Sequence, residues 1–227
     1  MACCFYNDTH KYLDDPSYTR PPSSTLVSDS PLELLDRIRL DRRLDALKLP
    51  HSGSENADKI LSECEDVVLE YWNAWTLPDP KEQFRQSQEA AVALLVGSQG
   101  DKHAGTAFDF YFVHVLTSSH AVRTLLPLVP PKFELSLVRQ WWLFTIITYI
   151  CQLRPEIDMS KIREYKLDGR GWKGVDHSAL AGKHGHDAHY VKGLRAMKDA
   201  EKLWGENDGF WLKAAVKFAD EFGDWSG

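Results

Sequence analysis

The stretch from Thr106 to Leu126, TAFDFYFVHVLTSSHAVRTLL, narrows what this chain can fold into. It is the most apolar and aromatic segment of the sequence, yet it carries Asp109, His114, His120 and Arg123. A helix of this composition belongs in an interior, and a buried helix with a histidine at its middle must give the imidazole a partner. Phe112 and Val113 precede His114, and Val115 and Leu116 follow it. Two readings of His114 stand side by side. It is a metal ligand or acid–base group, or it is a core histidine hydrogen-bonded to a backbone carbonyl or to Asp109. His120 falls on a different helical face and reads as structural.

The rest of the chain reads as helices with clear starts. Ser30-Pro31-Leu32-Glu33 predicts an N-cap, a proline at the first helical position and a glutamate that closes a capping box. Leu34, Leu35, Ile38, Leu44 and Leu47 give that helix one apolar face, and Pro50 ends it. A second helix is expected from Asn56 to Trp75. A third is capped by Asp79, with Pro80 first and Glu82 third, and runs to Gly97. Ser98 to Gly105 reads as a polar loop. Glu134 to Leu153 is apolar nearly all round, and its length favours a buried helix over a strand despite the β-branched run Thr145 to Thr148. Asp168 to His186 is rich in glycine and histidine and reads as a loop, followed by helices at about 187–204 and 208–222. No segment alternates cleanly with period two. The expected class is all-α, an irregular helical bundle over 30–227 that forms an incomplete part of a larger helical domain. Residues 1–29, rich in Pro, Ser, Thr, Asp and Tyr, are expected to form an extended arm. The arm's abrupt beginning suggests a chain cut from something longer.

Composition removes several classes of function. A net charge of −6 and a pI near 5.8 argue against nucleic acid or an anionic membrane as the principal partner. No apolar run reaches the length of a membrane span, and the N-terminus lacks the basic start and apolar core of a secretory signal. Cys3, Cys4, Cys64 and Cys151 show neither zinc-type spacing nor a disulfide framework, and read as reduced thiols of a cytoplasmic protein. Phosphate-cradling, dinucleotide-binding, nucleophile-elbow and His-Glu-x-x-His patterns are all missing.

Nine histidines remain to be explained, four of them within DHSALAGKHGHDAH (176–189). Neutral imidazole suits iron, zinc, copper and nickel, so a histidine at a helix entrance facing one on a buried helix is a plausible clamp. His189, just inside a helix start, is the candidate partner of His114. Asp187 is placed either to cap that helix or to orient a ligand histidine. His177 and His184 read as solvated loop residues. Trp72, Trp75, Trp141, Trp142 and Trp172 read as core, with stacking on a flat aromatic ligand as the alternative.

Six stretches taken together, HKYLDDPSYT, SPLELLDRIR, EYWNAWT, DFYFVHVLTSSHAVR, LVPPKFELSLVRQWWLFTIITYICQLRPEI and HDAHYVKGLRAMKDAEKL, resemble the C-terminal half of the questin oxidase-like family. The resemblance extends over about residues 10 to 205. It implies a fungal enzyme of polyketide secondary metabolism, acting with O₂ on an anthraquinone- or xanthone-type intermediate in an oxidative, Baeyer–Villiger-like and NADPH-dependent ring cleavage. It also implies a helical non-haem iron protein in which several histidines and a modified lysine hold the metal. On this chain the resemblance assigns His114 and His189 as metal ligands, with His186 as a candidate third. Trp141, Phe110 and Tyr111 become substrate-lining residues, and Trp141 stands where some relatives carry the lysine. Further family histidines belong to an N-terminal half that this sequence does not contain. The alternative is therefore a non-catalytic relative or binding module that needs an N-terminal partner or self-association to complete its site.

Overall fold

The computed structural model describes residues 11–21, 25–98 and 107–227. Cys3, Cys4, His10, His103 and the expected loop beyond Ser98 lie outside the described residues. In chain order the helices are α1 (Lys11–Asp14), α2 (Pro31–Leu40), α3 (Asn56–Glu63), α4 (Glu65–Ala74) and α5 (Pro80–Val92). After them come strand β1 (Ala107–Asp109), then α6 (Phe110–Leu125), α7 (Pro131–Cys151), α8 (Ser160–Arg163) and α9 (Trp172–Ala181). The chain closes with α10 (Ala188–Trp204), α11 (Phe210–Glu221) and strand β2 (Asp224–Ser226). The fold is all-α, and the two short strands found among the described residues pair in parallel.

Helix starts follow the sequence signals closely. Ser30 Oγ accepts from Glu33 N at 3.3 Å, but the capping box closes through a relay. Ser30 N donates to Ser28 Oγ, and Ser28 Oγ donates to the Glu33 carboxylate at 2.5 Å. At α5, Asp79 accepts from Lys81 N at 3.0 Å, and the Gln83 side chain reaches back to Asp79 N.

Helix interiors break where the sequence pattern runs on. The expected helix to Leu47 stops at Leu40. Asp41, in extended backbone, turns its carboxylate to Arg43 N and opens a 3₁₀ stretch, Arg42–Leu47, which still buries Leu44 and Leu47. The helix expected over 56–75 is divided at Cys64 (φ −135°, ψ 25°), which ends α3 and begins α4. The last turn of the helix expected to reach Gly97 widens into a π-helical turn, Ala93–Gly97, buried throughout. Ala107–Asp109, expected within the aromatic helix, is strand, because Asp109 caps α6 and the helix begins only at Phe110. The glycine-rich loop expected over 168–186 contains α9. Its glycines mostly flank the helix, at 169, 171, 182 and 185. Val175 is buried, and Asp176 and Trp172 anchor the helix to Lys198 and Glu201 of α10.

The described residues fall into two compact units. The first unit draws on Met1–Ser87 and Ala121–Pro155. Its core is the second half of α7. Trp141 and Trp142 pack against Trp75, and Trp141 against Phe84. Trp142 Nε1 donates to Tyr71 O and Trp72 Nε1 to Arg139 O. The first half of α7 is not interior: Phe133 is 50% and Leu135 44% exposed. The described part of the expected arm is held rather than extended. Tyr12 is 1% exposed and donates to Glu65, Asn73 bonds both Tyr18 O and Arg20 N, and Ser28 bridges the backbone at Ala74 and Thr76. One buried aromatic and one multivalent asparagine outweigh the polar composition of that segment.

The second unit draws on Gln88–His120 and Glu156–Gly227. Its core gathers Phe108, Tyr190, Phe218 and Phe222, with Leu194, Met197 and Trp211 also buried. A Cβ at Gly193 of α10 would stand 3.2 Å from Phe218 and 3.4 Å from Val113, so glycine lets these elements approach closely. Among the described residues no helix is long and apolar enough to cross a membrane.

Candidate functional site

His114 and His189 meet inside the second unit. Their ring centroids lie 4.8 Å apart with planes tilted by 50°. Each histidine sits shortly after a capped helix start, and the caps determine where the rings go. Asp109 Oδ1 accepts from Tyr111 N and Phe112 N at 2.8 and 2.9 Å, fixing the head of α6. Asp187 Oδ1 accepts from His189 N and Tyr190 N at 2.8 and 3.0 Å, fixing the head of α10. Phe110, also on α6, packs edge-on to both imidazoles, 4.6 Å from His114 and 4.8 Å from His189. Tyr111 follows it with a ring contact at 6.0 Å.

The tautomer of His114 follows from its bond. Nδ1 lies 2.7 Å from the Phe110 carbonyl oxygen, which can only accept, so Nδ1 carries the proton. Nε2 is then a lone-pair donor, the form that binds a metal or takes a proton. Burial pushes the His114 pKa below the usual imidazole value; the bond to the Phe110 carbonyl opposes this, and His189 and Lys192 add positive charge nearby. His114 is therefore neutral at physiological pH. Burial moves the Asp109 carboxyl up to about 6 against the two backbone N–H groups that it accepts. At Asp187 burial also acts upward, but the N–H of Tyr190, the indole of Trp225 and the N–H of His189 outweigh it and hold the carboxyl below the usual range.

Both open readings of His114 have a counterpart here: the imidazole is anchored to a backbone carbonyl, and it faces the second candidate histidine. Asp187 serves as the helix cap. Its Oδ1 is 4.0 Å from His189 Nδ1, too far to orient that ring by a hydrogen bond. His186 stands exposed in the turn before α10 rather than on the helix. His184, expected to be solvated, packs edge-on against Phe222 at 4.8 Å, whereas His177 is exposed on α9. Trp141 is 3% exposed in the core of the first unit, among Trp75, Phe84 and Trp142. His120 Nε2 lies 3.9 Å from Asp199. Cys64 and Cys151 are buried and form no disulfide with each other.

The sequence did not point to Trp225. Its indole N–H donates to Asp187 Oδ2 at 2.7 Å, and its ring contacts Phe110 at 5.9 Å and His189 at 6.3 Å. A tryptophan in a short polar tail has no periodicity to mark it, and parallel pairing with a distant segment leaves no local signal.

The donor set suits iron only in part. Two imidazoles converge, that of His114 with its tautomer fixed, which fits a first-row divalent metal. Among the described residues, however, no group of three or more His, Cys, Asp or Glu side chains is placed to hold one. Among the described residues the feature that could serve is the His114–His189 pair.

A model of the questin oxidase-like family matches residues 1–197. A Baeyer-Villiger oxidase of Pestalotiopsis microspora is 27% identical over 129 residues, covering 54% of this chain and 28% of that protein. The aligned region thus spans little more than a quarter of the relative's length. The breadth of the family match, which takes in both histidines of the pair, decides the assignment: the chain belongs to the questin oxidase-like family.

Proposed function

We propose that this protein is an oxidase of fungal polyketide metabolism that takes an anthraquinone- or xanthone-type intermediate through Baeyer–Villiger-like ring cleavage. The observation that carries this reading is the His114–His189 pair, two imidazoles brought 4.8 Å apart in a chain of this family. In this reading they are protein ligands of a non-haem iron. Such a metal supplies the means to react O₂ with a closed-shell organic molecule, which is otherwise spin-forbidden.

The chain's own residues prepare that chemistry. The Phe110 carbonyl holds the His114 Nδ1 proton, which leaves Nε2 with the lone pair for coordination. The Phe110 ring braces both imidazoles and, with Tyr111, offers an apolar wall to a planar substrate. Overall, one atom of O₂ enters beside the substrate carbonyl and the other leaves as water. The two electrons this requires come from NADPH, a role suggested by the family resemblance. A cytoplasmic location is part of the same reading.

A second reading draws on a specific observation, the shortage of ligands among the described residues. Here the chain is a half-site that a partner completes, either an N-terminal half or a second copy.

Elemental analysis of the purified chain beside His114→Ala and His189→Ala separates the two. Near-stoichiometric iron that is lost in both variants, with turnover of an anthraquinone by the parent, supports the self-contained oxidase. A folded parent without iron overturns it in favour of the half-site.

A further inference from the structure

We propose that Trp225 is the positioning residue of the histidine pair, and that β2 is the clasp that joins the two helix heads from which His114 and His189 project. The clasp is bonded on both sides. Along one edge β2 pairs in parallel with β1, matching Ala107 with Asp224, Phe108 with Trp225 and Asp109 with Ser226. This ties it to the residues that lead into α6. On the other side Trp225 Nε1 donates to Asp187 Oδ2, the carboxylate oxygen that the α10 cap leaves free. The indole also lies against Phe222 at 4.6 Å, against Phe110 and against His189 itself. A ribbon of two short strands is marginal by itself, so these side-chain contacts decide whether β2 stays docked. Trp225 lies outside residues 1–197, the part of the chain that the family model matches.

Because His189 Nδ1 lies beyond hydrogen-bond reach of Asp187, its ring is placed by packing and by the position of its backbone. Trp225 supplies both. It packs edge-on against the ring, 6.3 Å between centroids, and steadies the carboxylate that receives the His189 N–H. Removing the indole N–H leaves the cap intact but lets the clasp shift, and with it the distance between the imidazoles.

This inference rests on the reading of the pair as metal ligands, and the test keeps the two apart. Trp225→Phe retains a ring and removes the donor. Asp187→Asn keeps a competent N-cap and breaks the same bond from the other side. Ile162→Val, at a buried position of α8, serves as a control for lost stability alone. Two readouts are taken: the inter-ring NOE between His114 and His189 in metal-free, histidine-labelled protein, and affinity for Co(II). Both bond-breaking variants are expected to remain helical, to weaken or lose the NOE, and to lose about tenfold or more in Co(II) affinity, as for other outer-shell partners of metal ligands. Ile162→Val is expected to leave both readouts at parental values. An unchanged NOE in folded Trp225→Phe and Asp187→Asn overturns the proposal. A parent that shows the NOE but binds no Co(II) sinks the metal reading, and the NOE comparison still decides the role of Trp225.

Discussion

Asp109 accepts two backbone N–H groups at the head of α6, and such bonds ordinarily lower a carboxyl's pKa. Burial wins here and brings it to about 6, well above its ordinary 3.8. The folded state therefore holds the proton more tightly than the unfolded state does. The associated stability is fully present below the unfolded value and is lost as pH rises through 6. Asp109→Asn keeps the cap without the ionisation. Relative to the parent, it is expected to gain about 2 kcal/mol in unfolding free energy between pH 4 and pH 7.5. Urea titrations at the two pH values check this, and an equal difference at both would remove the argument. His114 acts oppositely: its lowered pKa gives stability that is present above the ordinary imidazole value and lost as pH falls through it. At this scale the sequence was informative about both histidines and about Asp187, because each sits at a recognisable place on a helix. It was silent about Trp225, whose role depends on pairing with Phe108 from the other end of the unit.

Helix starts were legible because a cap is a local motif, as Ser30, Asp79 and Asp187 show. Helix ends inside an apolar pattern were not, because partners far along the chain decide them. The end of α2 is the clearest case. Arg154 Nη1 donates to the carbonyls of Ile38, Arg39 and Asp41 at 3.2, 3.3 and 3.0 Å, while Nη2 reaches Asp45 at 2.9 Å. A guanidinium from beyond α7 thus adds a charged donor to carbonyls at the open end of the helix, where Ile38 O and Asp41 O also accept from Asp41 N and Leu44 N. Its own backbone stands at φ 53°, so the position is strained as well as bonded. Arg154→Ala is expected to destabilise the fold by about 2 kcal/mol, the scale of charge-assisted hydrogen bonds. Arg154→Lys should recover only part, because one ammonium cannot span the same set of carbonyls. Thermal and urea unfolding of the two variants measure both effects, and a parental Arg154→Ala would show the cap to be idle. The same logic explains α9. Its sequence looks like a loop, and its anchors, Lys198 and Glu201, lie on another helix.

For the whole chain, the all-α class was readable from the length and composition of the apolar segments, while the division into two units was not, since both are assembled from segments distant in sequence. The histidine pair belongs entirely to one of them, and what holds it is protein: two carboxylate caps, a backbone carbonyl, an aromatic ring and a paired strand. A site built this way differs from a structural zinc site, where metal binding and folding are one event. Metal removal is therefore expected to leave the helices in place. A metal bound only to the native state, at tenfold excess over its Kd, adds about 1.4 kcal/mol. Chelation should then lower Tm by no more than several degrees and leave the far-UV spectrum unchanged. The comparison is made by circular dichroism on Co(II)-loaded protein before and after EDTA, with His189→Ala as the reference that cannot form the pair. Loss of helix on chelation would mean that metal, rather than the caps and β2, organises the heads of α6 and α10. Retained helix with a small Tm shift that is absent from His189→Ala would place the metal on a preformed, two-imidazole face.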